Sequence, residues 1–324
     1  MSKFIGRQAS LGIGKESVRG TAVVPTYWVP WMELSADTKV EAVVDETSLA
    51  RLEDSDAMNI VSKFGEISWK TKLKQTHIGL VLLSLFGTVA SVAKSAPNAA
   101  VYDHTFSVQQ GTQHASLTAT IKDSNQDLAY ANGVIDSLKL TAEIGNYVMY
   151  EASMMSKGHA SASTTVAHVQ EKDFVPQMLT FKRATTQAGL DGASATVIRN
   201  VSIEFKQNVM KEDVLGNVAP NDILNQSFEI SGSITLIHNN ADFQDLQNNE
   251  TYNAFRIDLV HPDTIGTSSN PELKIDLHRV RVTNYERKYN LDDMVEESFD
   301  FKALYSLTDS KMATVILTNL ATAY

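Results

Sequence analysis

The sequence predicts an all-β fold with short helices, because alternating polar and apolar residues dominate it and helical spacing is confined to two brief stretches. The clearest alternation covers residues 64–73, where Ile67, Trp69 and Leu73 face one way and polar side chains face the other. A period of two is the pattern of a strand with one buried face. Further strands are predicted at 39–44, 105–108, 115–121, 136–143, 147–154, 197–205, 228–236, 254–260, 273–282, 298–305 and 313–319.

The period changes directly after the strand at 64–73. Apolar residues recur at the spacing of one helix face from residue 78 to 86, with Thr76 available as N-cap and Gly87 as terminator. A second short helix, capped by Asn240, is predicted at 241–246. The strand and the first helix predict a domain core that contains Ile67, Trp69, Leu73, Leu82 and Phe86.

The first 33 residues show neither period and are rich in glycine and proline. This composition predicts an extended N-terminal arm over residues 1–33 that docks through aromatic side chains at its end. The predicted docking residues are Tyr27, Trp28 and Trp31. The arm docks either on a neighbouring subunit or on its own domain.

A long acidic segment separates the strands predicted at 39–44 and 64–73. Loops longer than about 12 to 15 residues inside a compact domain are usually functional or disordered. The charged residues of this loop are Asp45, Glu46, Arg51, Glu53, Asp54 and Asp56.

The order of predicted elements repeats along the chain. Each half reads strand, long acidic loop, strand, short helix, strands and terminal hairpin, and Glu66-Ile67-Ser68 is repeated as Glu229-Ile230-Ser231, 163 residues later. The small polar stretch near residue 160 is typical of a linker. We therefore predict a tandem duplication, with one domain at 34–158, a linker at 159–168 and a second domain at 169–324.

Composition excludes several classes of protein. The chain of 324 residues has no cysteine, which excludes disulfides and thiolate chemistry, and a formal net charge of −10, which argues against a dedicated nucleic-acid binder. Neither a signal peptide nor a membrane-spanning segment is predicted, because the longest apolar run is about ten residues and a spanning helix needs roughly 20.

No catalytic, cofactor or metal site is predicted. Gly12-Ile13-Gly14-Lys15-Glu16-Ser17 differs from a phosphate-binding loop, because Ala9 replaces the first glycine and Glu16 replaces the hydroxyl residue after the lysine. The eight histidines lack metal-ligand spacing, and no Gly-x-Ser-x-Gly elbow is present. Two carboxylates that face each other across a cleft stay possible from sequence.

Several short motifs resemble the tail tube proteins of long-tailed, siphovirus-like bacteriophages. They are Gly14-Lys15-Glu16-Ser17, Gly20-Thr21-Ala22, Pro25-Thr26, the segment that ends at Leu85-Phe86-Gly87, and the stretch from Gly216 through Pro220 to Glu229-Ile230-Ser231-Gly232. The resemblance implies a β-sandwich or split barrel flanked by a helix. It also implies that the sheets join around a ring and that the rings stack into a hollow tube through which DNA passes.

The resemblance has consequences for assembly and partners. Many members carry one such fold per chain and form hexameric rings, so a duplicated chain implies three chains per ring and an unduplicated chain six. In a stack of rings the acidic loop reaches the next ring, with Lys70, Lys72 or Lys74 as basic partners; a solvated flap is the alternative. Tape-measure and tail terminator proteins are the other implied partners.

The chain is therefore interpreted as a structural virion protein that is assembled in the host cytoplasm, without catalysis or a cofactor. DNA passes through the tube without tight binding, which an acidic lumen favours; solubility accounts for the net charge equally well. The alternative from another class is a two-domain β-sandwich binding module for carbohydrate or another surface ligand, which requires an exposed aromatic platform on regular strands. An enzyme ranks third.

Overall fold

The computed structural model describes residues 3, 5–53, 55–291 and 294–324. β-Strands dominate the secondary structure of the described chain, so the predicted all-β class is confirmed. The first half contains β1 (Ser10–Lys15), β2 (Tyr27–Val29), β3 (Glu33–Val44), β4 (Met58–Lys72), α1 (Ile78–Phe86), β5 (Gly87–Ala93), β6 (Tyr102–Val108), β7 (Leu117–Lys122), β8 (Asp127–Glu143), β9 (Met149–Lys157) and β10 (Ala160–Ser161).

The second half has a similar succession of elements. It contains β11 (Leu179–Ala184), β12 (Ala195–Thr196), β13 (Asn200–Lys206), β14 (Met210–Glu212), β15 (Asp222–Leu224), β16 (Glu229–Ile237), α2 (Asp242–Asn248), β17 (Asn253–Val260), β18 (Glu272–Lys288), β19 (Glu296–Ala303) and β20 (Ala313–Asn319). Short 3-10 helices cover Gly6–Gln8, Pro176–Met178 and Gln187–Leu190. Among the described residues, no helix is both long and apolar enough to span a bilayer.

One long antiparallel sheet runs through both halves of the chain. Its strand order is β3-β4-β9-β8-β13-β16-β19-β18, and β8 and β13 join the halves by pairing residues 137–143 with residues 206–200. We call this the long sheet. Its buried face packs into a hydrophobic core that includes α1.

The strand order of the first half is repeated in the second. In the long sheet, β3-β4-β9-β8 corresponds to β13-β16-β19-β18. The earlier parts of β8 and β18 leave the long sheet and enter two shorter sheets, which contain β2-β1-β7-β8 and β12-β11-β17-β18. Within the described residues, the hairpin β5–β6 has no counterpart in the second half, and it extends the second short sheet by pairing with β20.

The repeated tripeptide is displaced from this correspondence. A bulge in β8 precedes Ser137, which lies opposite Ser153, and the matching bulge in β18 precedes Asn284, which lies opposite Asp300. Ser68 pairs with Ser153 and Ser233 pairs with Asp300. The structural counterpart of Ser68 is therefore Ser233 and not Ser231. The repeated tripeptide in the sequence is thus shifted by two residues from the structural correspondence of the strands.

The predicted N-terminal arm contains two strands of the chain's own sheets. β1 pairs with both β2 and β7, and Leu11 and Ile13 are fully buried. The glycines that suggested irregular structure serve close packing. A Cβ atom on Gly12 would lie 2.6 Å from Cβ of Pro25, and one on Gly14 would lie 2.8 Å from the carbonyl oxygen of Val24.

The linker predicted at 159–168 contains the short strand β10, which pairs with β8. This pairing attaches the start of the segment to the first half. The division of the chain at residues 34, 159 and 169 stays a prediction.

The first helix is buried on every side, whereas an amphipathic helix was predicted. All nine residues of α1 are buried, because the helix contacts β1, β5, β6 and β8. Gly87 ends the helix as predicted, with a φ of 86° and its N–H donated to the carbonyl of Leu83. The prediction of Thr76 as N-cap is wrong: the N-cap position is His77, and its side chain makes no cap hydrogen bond.

A carboxylate distant in sequence takes over the capping role. Glu171, from the segment between the two halves, accepts hydrogen bonds from the backbone N–H groups of Thr76 (2.8 Å) and His77 (3.1 Å) and from Nδ1 of His77 (3.2 Å). Burial alone would raise the pKa of this carboxyl, but the hydrogen bonds and the charge of His77 outweigh burial and lower it below its ordinary 4.5. Glu171 thus fixes the start of the buried helix.

We expect Glu171→Gln to destabilise the fold by about 1–3 kcal/mol, because a buried charge-assisted acceptor is lost. Since the folded pKa lies below 4.5, the stabilisation is complete above that pH and is lost as the pH falls through the folded pKa. Urea unfolding between pH 3 and 7 checks this expectation. The difference in unfolding free energy between the native protein and Glu171→Gln should decrease towards pH 3. Glu46→Gln, on an exposed loop, is the control and should have the unfolding free energy of the native protein at every pH. A difference for Glu171→Gln that does not change with pH would contradict the assignment.

Candidate assembly surfaces

The hairpin formed by β3 and β4 projects beyond the long sheet. Residues 39–44 and 58–61 are exposed on both faces, so five residues of β3 extend for about 17 Å beyond Lys39 before the loop at 45–57 begins. An isolated two-stranded hairpin is only marginally stable in water. We call residues 39–61 the projecting hairpin.

Apolar side chains cover the projecting hairpin. Leu52 is fully exposed at its tip, and the exposed set comprises Val40, Val43, Val44, Leu49, Leu52, Met58, Ile60 and Val61. Contiguous exposed apolar side chains of this kind mark interaction sites.

The predicted stacking residues lie at the tip of this hairpin. Asp45, Glu46, Arg51, Glu53 and Asp56 all fall within the loop at 45–57, and Asp54 lies outside the described residues. The carboxylate of Asp45 accepts a hydrogen bond from the N–H of Thr47 (3.0 Å), and this bond lowers its pKa.

The three lysines predicted as partners of this loop have contacts within the chain. Lys70 lies 3.4 Å from Glu33, Lys74 lies 2.8 Å from Asp173, and the ammonium of Lys72 lies 3.4 Å from the centre of the Tyr147 ring. Lys70 and Lys72 are at the end of β4 farthest from the loop of their own chain.

The two ends of the long sheet both expose apolar side chains. At the end with the projecting hairpin, the segment between β14 and β15 exposes Val214, Leu215 and Val218. At the opposite end, the turns after β8 and β18 expose Ile144, Tyr147, Tyr289, Leu291 and Met294.

The solvent-facing side of the long sheet is polar and carries alternating charge. Glu33, Lys70, Glu151, Lys139 and Glu204 lie directly opposite one another in a row across five consecutive strands. Opposite charges on facing positions stabilise neighbouring strands. We call this row the charge ladder, and it gives the face no continuous track of either sign.

Small hydroxyl side chains form the next row of the same face. Ser35, Ser68, Ser153 and Ser137 are paired across four strands, and the hydroxyls of Ser137 and Ser153 lie 2.8 Å apart. These short side chains keep this part of the face flat and polar.

The aromatic residues predicted to dock the N-terminal arm contact their own chain. Trp28 is buried, with its ring centre 6.4 Å from that of His168, and the indole N–H of Trp31 donates to the carbonyl of Ala9 (3.0 Å). The ring centre of Tyr27 lies 6.1 Å from that of Tyr324. These partners lie in the arm itself, in the predicted linker and at the end of the predicted second domain, so all three contacts are within the chain; docking on a neighbouring subunit or on its own domain stays a prediction.

The predicted core residues are all buried. Their exposed fractions are 0–2% for the set Ile67, Trp69, Leu73, Leu82 and Phe86. The Nε1 group of Trp69 lies 3.4 Å from the hydroxyl of Tyr150 on β9, so the strand that opens this core is held by its neighbour in the long sheet.

Sequence reasoning missed a buried carboxylate after β1. Glu16 accepts hydrogen bonds from the N–H groups of Gly20 (2.7 Å) and Asn132 (2.7 Å) and from the hydroxyls of Ser116 (2.6 Å) and Thr118 (2.8 Å). Its partners come from three separate segments, so no spacing in the sequence announces them. The sequence signal was the motif Gly14-Lys15-Glu16-Ser17, in which Glu16 was considered as a departure from a phosphate-binding loop and as part of the family resemblance, but not as a buried acceptor.

Arg19, three residues later, joins the two halves of the chain. Its guanidinium donates to the carbonyl of His114 (2.5 Å), to the carboxylate of Asp222 (2.7 Å) and to the carbonyl of Ile223. Asp222 also accepts a hydrogen bond from the side chain of Asn132 (2.9 Å). Burial alone would raise the pKa of Asp222, but hydrogen bonds from Asn132 and Arg19 lower it.

The described residues contain no cluster of three or more His, Asp or Glu side chains placed to hold a metal ion. The exposed tyrosines lie in separate turns and strand ends: Tyr147, Tyr252, Tyr289 and Tyr305. A groove of about 700 Å³ is lined mainly by polar residues, among them Gln109, Gln113, Asn225 and Gln226.

The sequence matches the family described as phage tail tube protein over residues 6–303. No curated protein matches the chain.

We expect Arg19→Ala to destabilise the protein by roughly 1.5–3 kcal/mol, because hydrogen bonds to a charged group are lost and two carbonyls lose their donor. It should also make the segment at 208–227 sensitive to proteases, since Arg19 holds β15 against the first half. Urea unfolding and timed proteolysis check both effects. Arg7→Ala, at an exposed site, is the control, and equal proteolysis of the two variants would contradict the role of Arg19.

Proposed function

The chain belongs to the phage tail tube protein family, and from this premise we propose that it assembles with its own copies into stacked rings whose common channel delivers phage DNA. Membership makes the chain a structural component of the virion that assembles into a tube. The observation that carries the finer proposal is the long sheet, which combines a polar face with one strand edge at each end of its strand order that has no partner among the described residues.

We further propose that the chain is a tandem duplication and that three chains form one ring. The support is the repetition of β3-β4-β9-β8 as β13-β16-β19-β18 and the direct pairing of β8 with β13. Each chain then supplies two units, so three chains supply the six units that a hexameric ring of single-unit chains contains.

The polar face of the long sheet is proposed to line the channel. A basic wall would bind phosphates and release their counterions, which holds DNA tightly. The charge ladder instead places a carboxylate beside each lysine, so cationic side chains are neutralised locally. This replaces the acidic lumen expected from net charge with a wall of balanced charge, and DNA slides past it without tight binding.

Stacking is proposed to join the projecting hairpin of one ring to the turns after β8 and β18 in the next. Both surfaces expose apolar side chains, and they lie at opposite ends of the same sheet, which is the arrangement that head-to-tail stacking requires. The acidic loop at 45–57 then reaches the end of the sheet at which Lys70 and Lys72 lie.

The remaining parts of the proposal come from the family. We propose tape-measure and tail terminator proteins as partners, assembly in the host cytoplasm, and no catalysis or cofactor. The binding-module alternative requires an aromatic platform, whereas the exposed tyrosines here are scattered over separate turns. Stacked rings in negative-stain micrographs of the purified protein support the tube, and a species that stays monomeric at high concentration contradicts it.

We expect replacement of residues 45–56 by Asn-Gly to leave folded subunits and rings but to abolish tubes, because the turn still closes the hairpin while the stacking surface is lost. Electron microscopy and sedimentation measure the outcome. Two further variants test whether stacking depends on apolar contact or on charge. Leu49→Ser with Leu52→Ser removes apolar contact, and amides in place of the five loop carboxylates remove charge. Val92→Ser, at an exposed site on β5, is the control, and normal tubes from the Asn-Gly replacement would rule out the stacking role.

We expect tubes of native protein to retain little DNA at physiological salt, and tubes of a variant with Glu151→Lys and Glu204→Lys to retain it. The variant turns the charge ladder into a run of cations, so retention should fall steeply as salt rises. Filter binding of labelled duplex measures it. Asp123→Lys with Asp263→Lys makes the same change of charge in turns of the two short sheets; equal retention by both variants would contradict the assignment of the lumen.

A further inference from the structure

We infer that the pairing of β8 with β13 inside the chain is the template for the junction between chains: the free edge of β18 pairs with β3 of the next subunit in the same register. This inference rests on the proposed ring. β18 corresponds to β8 and β3 corresponds to β13, so a junction β18–β3 between subunits repeats β8–β13. The occupant of each free edge is a second copy of this chain.

Both edges are available. After Val280, β18 pairs with β19 on one side, and among the described residues no strand pairs with its other side. The outer edge of β3 is likewise unpaired within the described part of the chain, because its only partner is β4. Unpaired strand edges are templates for another chain.

The two bulges set the register. Ser137 follows the bulge in β8, and the row of facing residues that starts there crosses the first unit to Ser35. Asn284 follows the bulge in β18, and its row crosses the second unit to Ser202. Ser35 and Ser202 are therefore equivalent positions in the two units. Inside the chain Ser137 pairs with Lys206, four residues beyond Ser202. The equivalent of Lys206 is Lys39, so Asn284 lies opposite the partner subunit's Lys39.

This register closes a barrel. At each junction, the row of facing residues shifts by four residues along the strand. Three chains contain six units of four strands, so the ring has 24 strands and a total shear of 24. A barrel whose shear equals its strand number tilts its strands by about 36°, within the usual range of about 35–45°. With strands about 4.8 Å apart, the backbone cylinder is about 45 Å across, which is wider than duplex DNA.

The junction contains one unfavourable contact. Glu286 falls opposite the partner subunit's Asp37, and like charges at facing positions destabilise a sheet. Lys288 and the partner subunit's Lys39 lie diagonally beside this pair and offset part of the repulsion. The contact makes a distinctive prediction, because reversing one charge should strengthen the ring.

Cross-linking tests the register directly, because the native chain has no cysteine. Facing residues in antiparallel strands have Cα atoms about 4.5–5.5 Å apart, within disulfide range. We expect oxidised tubes of the full chain with Asn284→Cys and Lys39→Cys to yield covalent trimers as the largest product. Ser137→Cys with Lys206→Cys should close within one chain, and Asn284→Cys with Ser35→Cys, about 13 Å out of register, should not cross-link.

The outcomes separate this inference from the proposed function. Tubes that cross-link through Ser35→Cys, or not at all, would overturn the register and leave the tube intact, whereas native protein that forms no tube overturns the tube itself. Covalent hexamers would overturn closure by three chains.

A double-mutant cycle on the facing carboxylates supplies a second test that needs no cysteine. Glu286→Lys should raise the temperature at which tubes dissociate, and the gain should disappear when Asp37→Asn is also present. A gain that persists without the Asp37 carboxylate would also overturn the register.

Discussion

The structure depends on one constraint: every strand of the long sheet must satisfy its backbone hydrogen-bonding groups with a neighbour. Within the chain, β8 meets this requirement by pairing with β13, which joins the two halves into a single sheet. At the ends of that sheet, β3 and the later part of β18 each keep one side without a strand partner among the described residues. The ladder that unites the halves is therefore the pattern for the junction between chains that we infer.

Polar and apolar side chains occupy different surfaces of the long sheet. The buried face of the long sheet and α1 form the core, while the opposite face carries the charge ladder and a row of serines. Exposed apolar side chains are concentrated at the two ends of the sheet, in the projecting hairpin and in the turns after β8 and β18. In the tube that we propose, these surfaces have separate roles: the strand edges face neighbours within a ring, the apolar ends face neighbouring rings, and the polar face of balanced charge faces DNA.

The two halves resemble each other in strand order but are not equivalent in their surroundings. The first half carries the projecting hairpin, whereas the corresponding segment of the second half folds back through β14 and β15 and is held by Arg19. Lys211 in this segment lies over the ring of Phe64 at 4.6 Å, and Lys63 donates its N–H to the carbonyl of Val218. The inserted hairpin β5–β6 binds the other half through β20. The loop after β3 thus extends away from the sheet, whereas the segment after β13 packs against its own chain.

Local pattern determined many of the strands, both α-helices and the core residues named from sequence, since alternation and helical spacing act over a few residues. Ile67, Trp69 and Leu82 were placed in the core on that ground, and they are buried. Strand β1 was missed because Gly12 makes room for the Pro25 side chain and Gly14 for the Val24 carbonyl, and both groups approach only in the folded chain. For the same reason, the sequence could not predict the cap at Glu171, the four partners of Glu16 or the charge ladder. Each depends on which strands become neighbours, and hydrogen-bond pairing between distant segments, rather than any spacing along the chain, decides that.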